Sequence, residues 1–203
     1  MTTTVLLVRH GQTDSNINGF YMGWSDEDLN QAGYAQARCL SSRLADLPVA
    51  AFYTSPLRRA YTTAAVLAEP HNIEPDALDG LAEIRLGDWQ GLHMDEIRQR
   101  WPELWRQWRT DPSQLTLPNG ESLNEVAERS LRAFEEVIRA NQEKYAVIVT
   151  HDVVVKLLVA HVLGAPNSIY RRFNIGNTSL TVVRVVNDTP RLTLLNDTSH
   201  LES

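Results

Sequence analysis

Residues 4–11 read Thr4-Val5-Leu6-Leu7-Val8-Arg9-His10-Gly11. Five β-type side chains with no polar alternation are expected of a strand buried on both faces, the situation inside a parallel sheet covered by helices. The run ends in a cation, an imidazole and a glycine, where the chain must turn. The same construction returns twice: residues 50–54 (AAFYT) lead into Ser55-Pro56-Leu57-Arg58, and residues 146–149 (AVIV) lead into Thr150-His151.

Amphipathic stretches separate these runs. Asn30 caps a helix from Gln31 to about Asp46, before the break at Pro48. Ser55 as cap and Pro56 as first helical residue open a second helix over Leu57–Glu69. Asp95–Arg109 reads as one helix bent near Pro102. After the turn at Pro118-Asn119-Gly120, Glu121-Ser122 opens the longest helix, with Leu123, Val126, Leu131, Phe134 and Ile138 at helical spacing. A helix from about Val153 to Leu163 is stopped by Gly164 and Pro166. Thr181–Val186 and Leu192–Leu195 form a last pair of strands around the turn Asn187–Pro190. Strands alternating with helices predict a three-layer α/β/α fold with a mostly parallel central sheet. Residues 1–203 form one domain, with an insertion or lid at about 86–122.

Length and charge agree. A chain of 203 residues fits one domain, and 19 basic against 25 acidic side chains give a net charge of −6. That balance argues against nucleic acid or anionic lipid as partner. One cysteine, Cys39, excludes an intrachain disulfide. With no signal-peptide pattern and no apolar run near 18 residues, no membrane partner and a cytoplasmic location are expected. An edge strand near Thr181–Val186 would offer a homodimer contact.

In such sheets ligands gather beyond the carboxyl ends of the strands. Arg9, His10, Ser55, Arg58 and His151 all follow strands, and Glu83 ends the short run Leu81–Glu83. Guanidinium groups present a planar fork of donors that matches phosphate oxygens, so two arginines with imidazoles read as a phosphate clamp. The six histidines lack the close pairing of a zinc site, and no metal or cofactor is expected.

The motifs themselves resemble a known family. Leu7-Val8-Arg9-His10-Gly11-Gln12-Thr13-Asp14-Ser15-Asn16 is similar to the Arg-His-Gly signature of the histidine phosphatase superfamily, the phosphoglycerate mutase-like proteins. Gly23-Trp24-Ser25-Asp26 with Leu29-Asn30-Gln31-Ala32-Gly33, Thr54-Ser55-Pro56-Leu57-Arg58-Arg59-Ala60, Glu83–Gly91, Gly120-Glu121-Ser122 and Val149-Thr150-His151 resemble its further landmarks in order. The similarity is greatest to the bacterial broad-specificity and α-ribazole-type phosphatases.

The resemblance implies a metal-independent phosphatase of small phosphorylated metabolites, with cofactor-dependent phosphoglycerate mutase as the alternative. It implies His10 as nucleophile, Arg9, Arg58 and His151 as ligands of the phosphoryl oxygens, and Glu83 as proton donor and later base. Thr13, Asn16, Met22, Gly23 and Leu86 are implied in phosphate or substrate binding. Neighbouring arginines disfavour the imidazolium and keep His10 nucleophilic. Glu121 is the second candidate acid. Met22, Leu86 and Asp152 depart from the family pattern. Leu86 weakens a phosphoserine or phosphoglycerate reading, and Asp152 sets a negative charge near the clamp or caps the next helix. Trp101, Trp105 and Trp108 make one helical stripe, read as packing or as an apolar wall beside the phosphate.

Overall fold

The computed structural model describes residues 2–202. The first half of the chain runs β1 (Thr2–Arg9), α1 (Asp14–Asn18), β2 (Phe20–Tyr21), α2 (Gln31–Leu44), β3 (Val49–Thr54), α3 (Arg58–Ala68) and β4 (Asp76–Ala77). Then come β5 (Leu92–His93), α4 (Met94–Arg100), α5 (Pro102–Thr110), α6 (Leu123–Ala140), β6 (Tyr145–Thr150), α7 (Asp152–Val162), β7 (Leu180–Val186) and β8 (Thr189–Asp197).

Six strands form one sheet in the order β4-β3-β6-β1-β7-β8. β4, β3, β6 and β1 are parallel, while β7 and β8 run antiparallel to their neighbours. The side-chain period of two explains the apolar run in β1. Val5 and Leu7 enter the core under α6 and α7 with Phe134, Val155 and Leu158. Leu6 and Val8 enter the opposite core with Leu40, Ala64 and Leu67 of α2 and α3. Helices on both faces therefore make the expected three layers. Leu7 is fully buried, so Leu7→Ala would cost about 2–5 kcal/mol.

Register sets the strand ends level. Arg9 of β1 pairs with Thr150 of β6, and Thr54 of β3 with Val149. The His10 amide donates to the Thr150 carbonyl (2.9 Å), and the Ser55 amide to the Val149 carbonyl (3.0 Å). His10, Ser55 and His151 thus leave the sheet side by side.

Several local expectations change. The chain bends at Pro56 and Leu57, and Leu57 has extended backbone (φ −70°, ψ 132°), so α3 starts at Arg58 and both residues lie outside it. Ser55 Oγ instead accepts from the Leu57 amide (3.2 Å). Asp95–Arg109 is two helices broken at Trp101 (φ −132°, ψ 63°), because a residue preceding proline is driven out of the helical region. Asp79–Leu81 is a 3₁₀ turn, so Glu83 follows a turn, not a strand. β7 lies between β1 and β8, so Thr181–Val186 is no edge and cannot offer the dimer contact read there; the sheet's edges are β4 and β8. The hairpin turn is Asn187-Asp188, both at positive φ, and Pro190 already lies in β8. No described helix is long and apolar enough to cross a membrane.

Candidate active site

A cavity of about 220 Å³ opens where β1, β3 and β6 end, and its lining includes Arg9, His10, Thr13, Asn16, Arg59 and Glu83. His10 is 3% exposed, and its Nδ1 lies 2.7 Å from the Gly11 carbonyl. Only a protonated Nδ1 can satisfy that carbonyl, so the neutral ring presents an unprotonated Nε2 to the cavity. Burial, then the charges of Arg59 and Arg9, hold the imidazole well below its ordinary pKa. It is neutral at pH 7. Gly11 permits this seat: a Cβ there would lie 2.7 Å from the Gly33 carbonyl of α2.

The second arginine at the cavity is Arg59, not Arg58 as expected. Arg58 is the first residue of α3, its side chain 61% exposed, with Nε 3.0 Å from Asp28 Oδ2. One residue further along a helix turns about 100°, and Arg59 points inward. It is 4% exposed and donates to the carbonyls of Gly23 (2.7 Å) and Ser25 (3.2 Å). Burial works against its charge, while the Glu83 and Glu27 carboxylates support it. Arg9 donates to the Ile175 carbonyl (2.7 Å), and its buried Nε has no partner.

Other polar groups wait at the same place. Thr13 Oγ1 is buried, unpartnered and faces the cavity. Asn16 Oδ1 accepts from the Thr13 amide and from Asn177 Nδ2, which leaves its own amide nitrogen to donate. His151 is fully buried behind His10, ring centroids 5.1 Å apart, and is not part of the cavity lining. Its Nε2 is 2.8 Å from Ser55 Oγ, and Nδ1 has no partner. Arg9 Nε and Thr13 Oγ1 thus stand at the cavity without a protein partner and are free to meet an acceptor bound there.

Glu83 sits across the cavity with Oε1 accepting from the Ile84 amide (2.8 Å). Burial raises its carboxyl above the usual glutamate value and the nearby Asp152 charge adds to the rise. The Ile84 N–H, Arg59 and Arg9 oppose it. Its loop is held from behind. Arg129 of α6 donates to the carbonyls of Gly80, Ala82 and Glu83, and Trp24 Nε1 donates to the Glu83 carbonyl. Glu121 is spoken for: its carboxylate accepts from Arg129 and from the Arg85 amide, and it does not line the cavity. The second candidate acid is thereby removed.

Met22, Gly23 and Leu86 line the cavity, together with Trp108, Tyr170, Arg171, Glu27 and Asp152. Of the tryptophan stripe only Trp108 does so; Trp101 and Trp105 stack on the buried Trp89 as packing. Asp152 opens α7 but does not face away: it lines the cavity while pairing with the buried Lys156 (2.9 Å). Arg59 was open to reading, since Arg58-Arg59 offers two cations and only the helix start chooses between them. Glu27, Tyr170 and Arg171 carry no motif.

The sequence of a family, the histidine phosphatase superfamily (branch 1), matches residues 5–198, and the chain belongs to it. Phosphoserine phosphatase 1 of Hydrogenobacter thermophilus is 33% identical over 197 residues, 97% of this chain and 93% of that protein. A metal-independent phosphoserine phosphatase of Arabidopsis thaliana is 32% identical over 209 residues, 99% of this chain and 84% of that one. The solved structure of Bacillus stearothermophilus YhfR matches with a TM-score of 0.95 and 33% identity, covering 98% of this chain and 99% of that one. Mycobacterial relatives are longer, and the chain spans 55% of their length.

Proposed function

We propose that the chain is a metal-independent phosphatase that hydrolyses small phosphomonoesters by way of a phosphohistidine on His10 Nε2. The observation that carries this reading is the 2.7 Å contact of His10 Nδ1 with the Gly11 carbonyl, which turns Nε2 to the cavity beside the Arg9 and Arg59 guanidinium groups. Phosphoryl transfer asks mainly for positioning and charge stabilisation. Arg9, Arg59, the Thr13 hydroxyl and the Asn16 amide serve the phosphoryl oxygens while Nε2 attacks in line. The buried His151, outside the cavity lining, packs against the His10 ring with its Nε2 on Ser55.

Glu83, whose proton affinity burial raises, gives a proton to the leaving alcohol. As a carboxylate it then takes a proton from the water that attacks phosphohistidine, which regenerates both groups. Residues 86–122 cover the leaving-group side through Leu86 and Trp108. Rapid quenching of turnover should trap an acid-labile phosphoenzyme that His10→Ala abolishes; a phosphoenzyme surviving in that variant overturns the reading. With 3-phosphoglycerate, release of phosphate is expected, and isomer exchange would make the chain a mutase.

A further inference from the structure

The segment from Ile175 to Thr178 leads into β7 and touches Arg9, His10 and Asn16 from outside the cavity, whose lining includes none of its residues. The Ile175 carbonyl accepts from Arg9 Nη1 (2.7 Å). The His10 carbonyl accepts from the Thr178 amide (3.3 Å) and from Asn177 Nδ2 (3.0 Å). Asn177 Nδ2 also donates to Asn16 Oδ1, again at 3.0 Å. An amide nitrogen has two protons, so both are committed. The segment is itself held in a costly conformation. Thr178 is fully buried at φ 52°, a region that a β-branched residue seldom enters. Strain of this kind persists only where neighbours over-determine it. Here the Thr178 amide donates to the Arg9 carbonyl (2.9 Å), its Oγ1 to the Asn177 carbonyl (2.8 Å), and the Gly176 amide to Asn196 Oδ1 (2.7 Å).

Asn16 is placed quite differently. It is exposed, on the five-residue helix α1, which is too short to be rigid by itself. Apart from Asn177, its Oδ1 meets the Thr13 amide alone (3.1 Å). Water competes for an exposed amide, and ordering one costs side-chain entropy, so a single hydrogen bond holds it loosely. Asn177 supplies the second. Because Asn177 Nδ2 is a donor, it turns the oxygen of Asn16 towards itself and leaves the nitrogen for an acceptor in the cavity.

We infer that Asn177 is a positioning residue for phosphoryl transfer, which anchors on the His10 carbonyl and holds the Asn16 amide with its nitrogen towards the transferring group. The inference rests on the phosphatase reading above and adds a residue that acts without touching substrate. When Asn177 is cut back the His10 carbonyl keeps the Thr178 amide, so the consequence falls on Asn16.

The test pairs Asn177 with Asn16, using p-nitrophenyl phosphate as substrate and inorganic phosphate as competitive inhibitor. Asn177→Ala should lower kcat/KM about 10-fold and weaken inhibition, the scale of one hydrogen bond to a charged group. Asn177→Asp keeps the size but loses the donor, and should cost at least as much because its oxygen repels that of Asn16. In an Asn16→Ala background, Asn177→Ala should cost less than about 2-fold, since the group it positions is gone. A residue that only supports the fold would lower Tm and leave kcat/KM unchanged, or add its full loss to that of Asn16→Ala. Either result overturns the inference. If the Asn177 variants do not fold, side-chain amide NMR of the wild-type protein decides. The Asn16 signal should move on titration with inorganic phosphate and both Asn177 amide protons should exchange slowly; an unmoved Asn16 signal or fast exchange at Asn177 overturns the inference. Hydrolysis of p-nitrophenyl phosphate by the wild-type enzyme leaves the phosphatase reading standing beside any of these results; no turnover removes that reading instead.

Discussion

Arg129 and Glu121 face each other through two parallel hydrogen bonds, Nε to Oε1 and Nη2 to Oε2, both 2.9 Å. The same guanidinium holds the Ala82 and Glu83 carbonyls, so the pair fixes the loop that aims Glu83. Both side chains are mostly buried, at 17% and 16% exposed. Arg129→Gln is expected to cost about 1.5–3 kcal/mol in stability, the scale of hydrogen bonds to charged groups. It should lower kcat with little change in KM. Chemical denaturation and steady-state kinetics check both, and a fall in stability with unaltered kcat would detach Arg129 from Glu83.

The two neighbouring arginines should behave oppositely. Arg59→Ala removes a fixed donor from a charge-stabilising site and should cost about 3–4 kcal/mol in kcat/KM, at least 100-fold. Arg58→Ala breaks only an exposed pair with Asp28 and should change kcat/KM less than about 3-fold. Reversal of that order in parallel assays would return the clamp to Arg58.

Glu83→Gln should slow alkyl phosphates far more than p-nitrophenyl phosphate. An alkoxide needs the proton that Glu83 supplies, whereas p-nitrophenolate leaves nearly unaided. General acid catalysis contributes about 10²–10⁴-fold, so the contrast is measurable in single-turnover bursts, which isolate phosphorylation from the later hydrolysis. Equal slowing of both substrates would make Glu83 a structural residue.

Burial holds both His10 and His151 well below the ordinary histidine pKa. In folded protein they therefore remain neutral as pH drops past 6.5, while in the unfolded chain they take up protons. Where the unfolded state binds more protons, stability rises with pH. The contribution is present above pH 6.5 and is lost as pH falls towards the folded values, by at most about 1.4 kcal/mol per pH unit for each histidine. Thermal unfolding between pH 7.5 and 5.5 should show a Tm that falls with acid, and His151→Asn should flatten the slope. An unchanged slope would place the proton uptake elsewhere.

EDTA should leave turnover intact. Loss of activity on chelation, restored by zinc or magnesium, would contradict the metal-free reaction.

Much of this was legible because single residues carried unambiguous local physics. The unbroken run Val5–Val8 forced a strand apolar on both faces, and Ser122 with Glu125 forms the cap that starts α6 where the turn signal ended. Arg9 and His10 leave the end of β1 as the apolar run implied and line the cavity together with Glu83, which follows a 3₁₀ turn in place of the expected strand. The misplacement of the clamp from Arg59 to Arg58 came from the helix start. Ser55-Pro56 has the chemistry of a cap and first turn, yet Ser55 bonds His151 and the helix begins only after two more residues. Tyr170 and Arg171 were invisible because their place in the cavity depends on α5 folding back over the strand ends, a long-range fact that no spacing records.

The sheet order has a consequence for the timing of synthesis. β1 pairs with β6 and β7, so both neighbours of the sheet's first strand in chain order lie well over a hundred residues downstream. At about 5–20 residues per second the nascent strand waits roughly ten to thirty seconds for them. Throughout that wait an apolar segment with two open edges hangs from the emerging chain, and the nucleophile has no pocket. Nothing catalytic can assemble until β7 has emerged, so a chain interrupted before it would be a substrate for chaperones and proteases and never a slow enzyme.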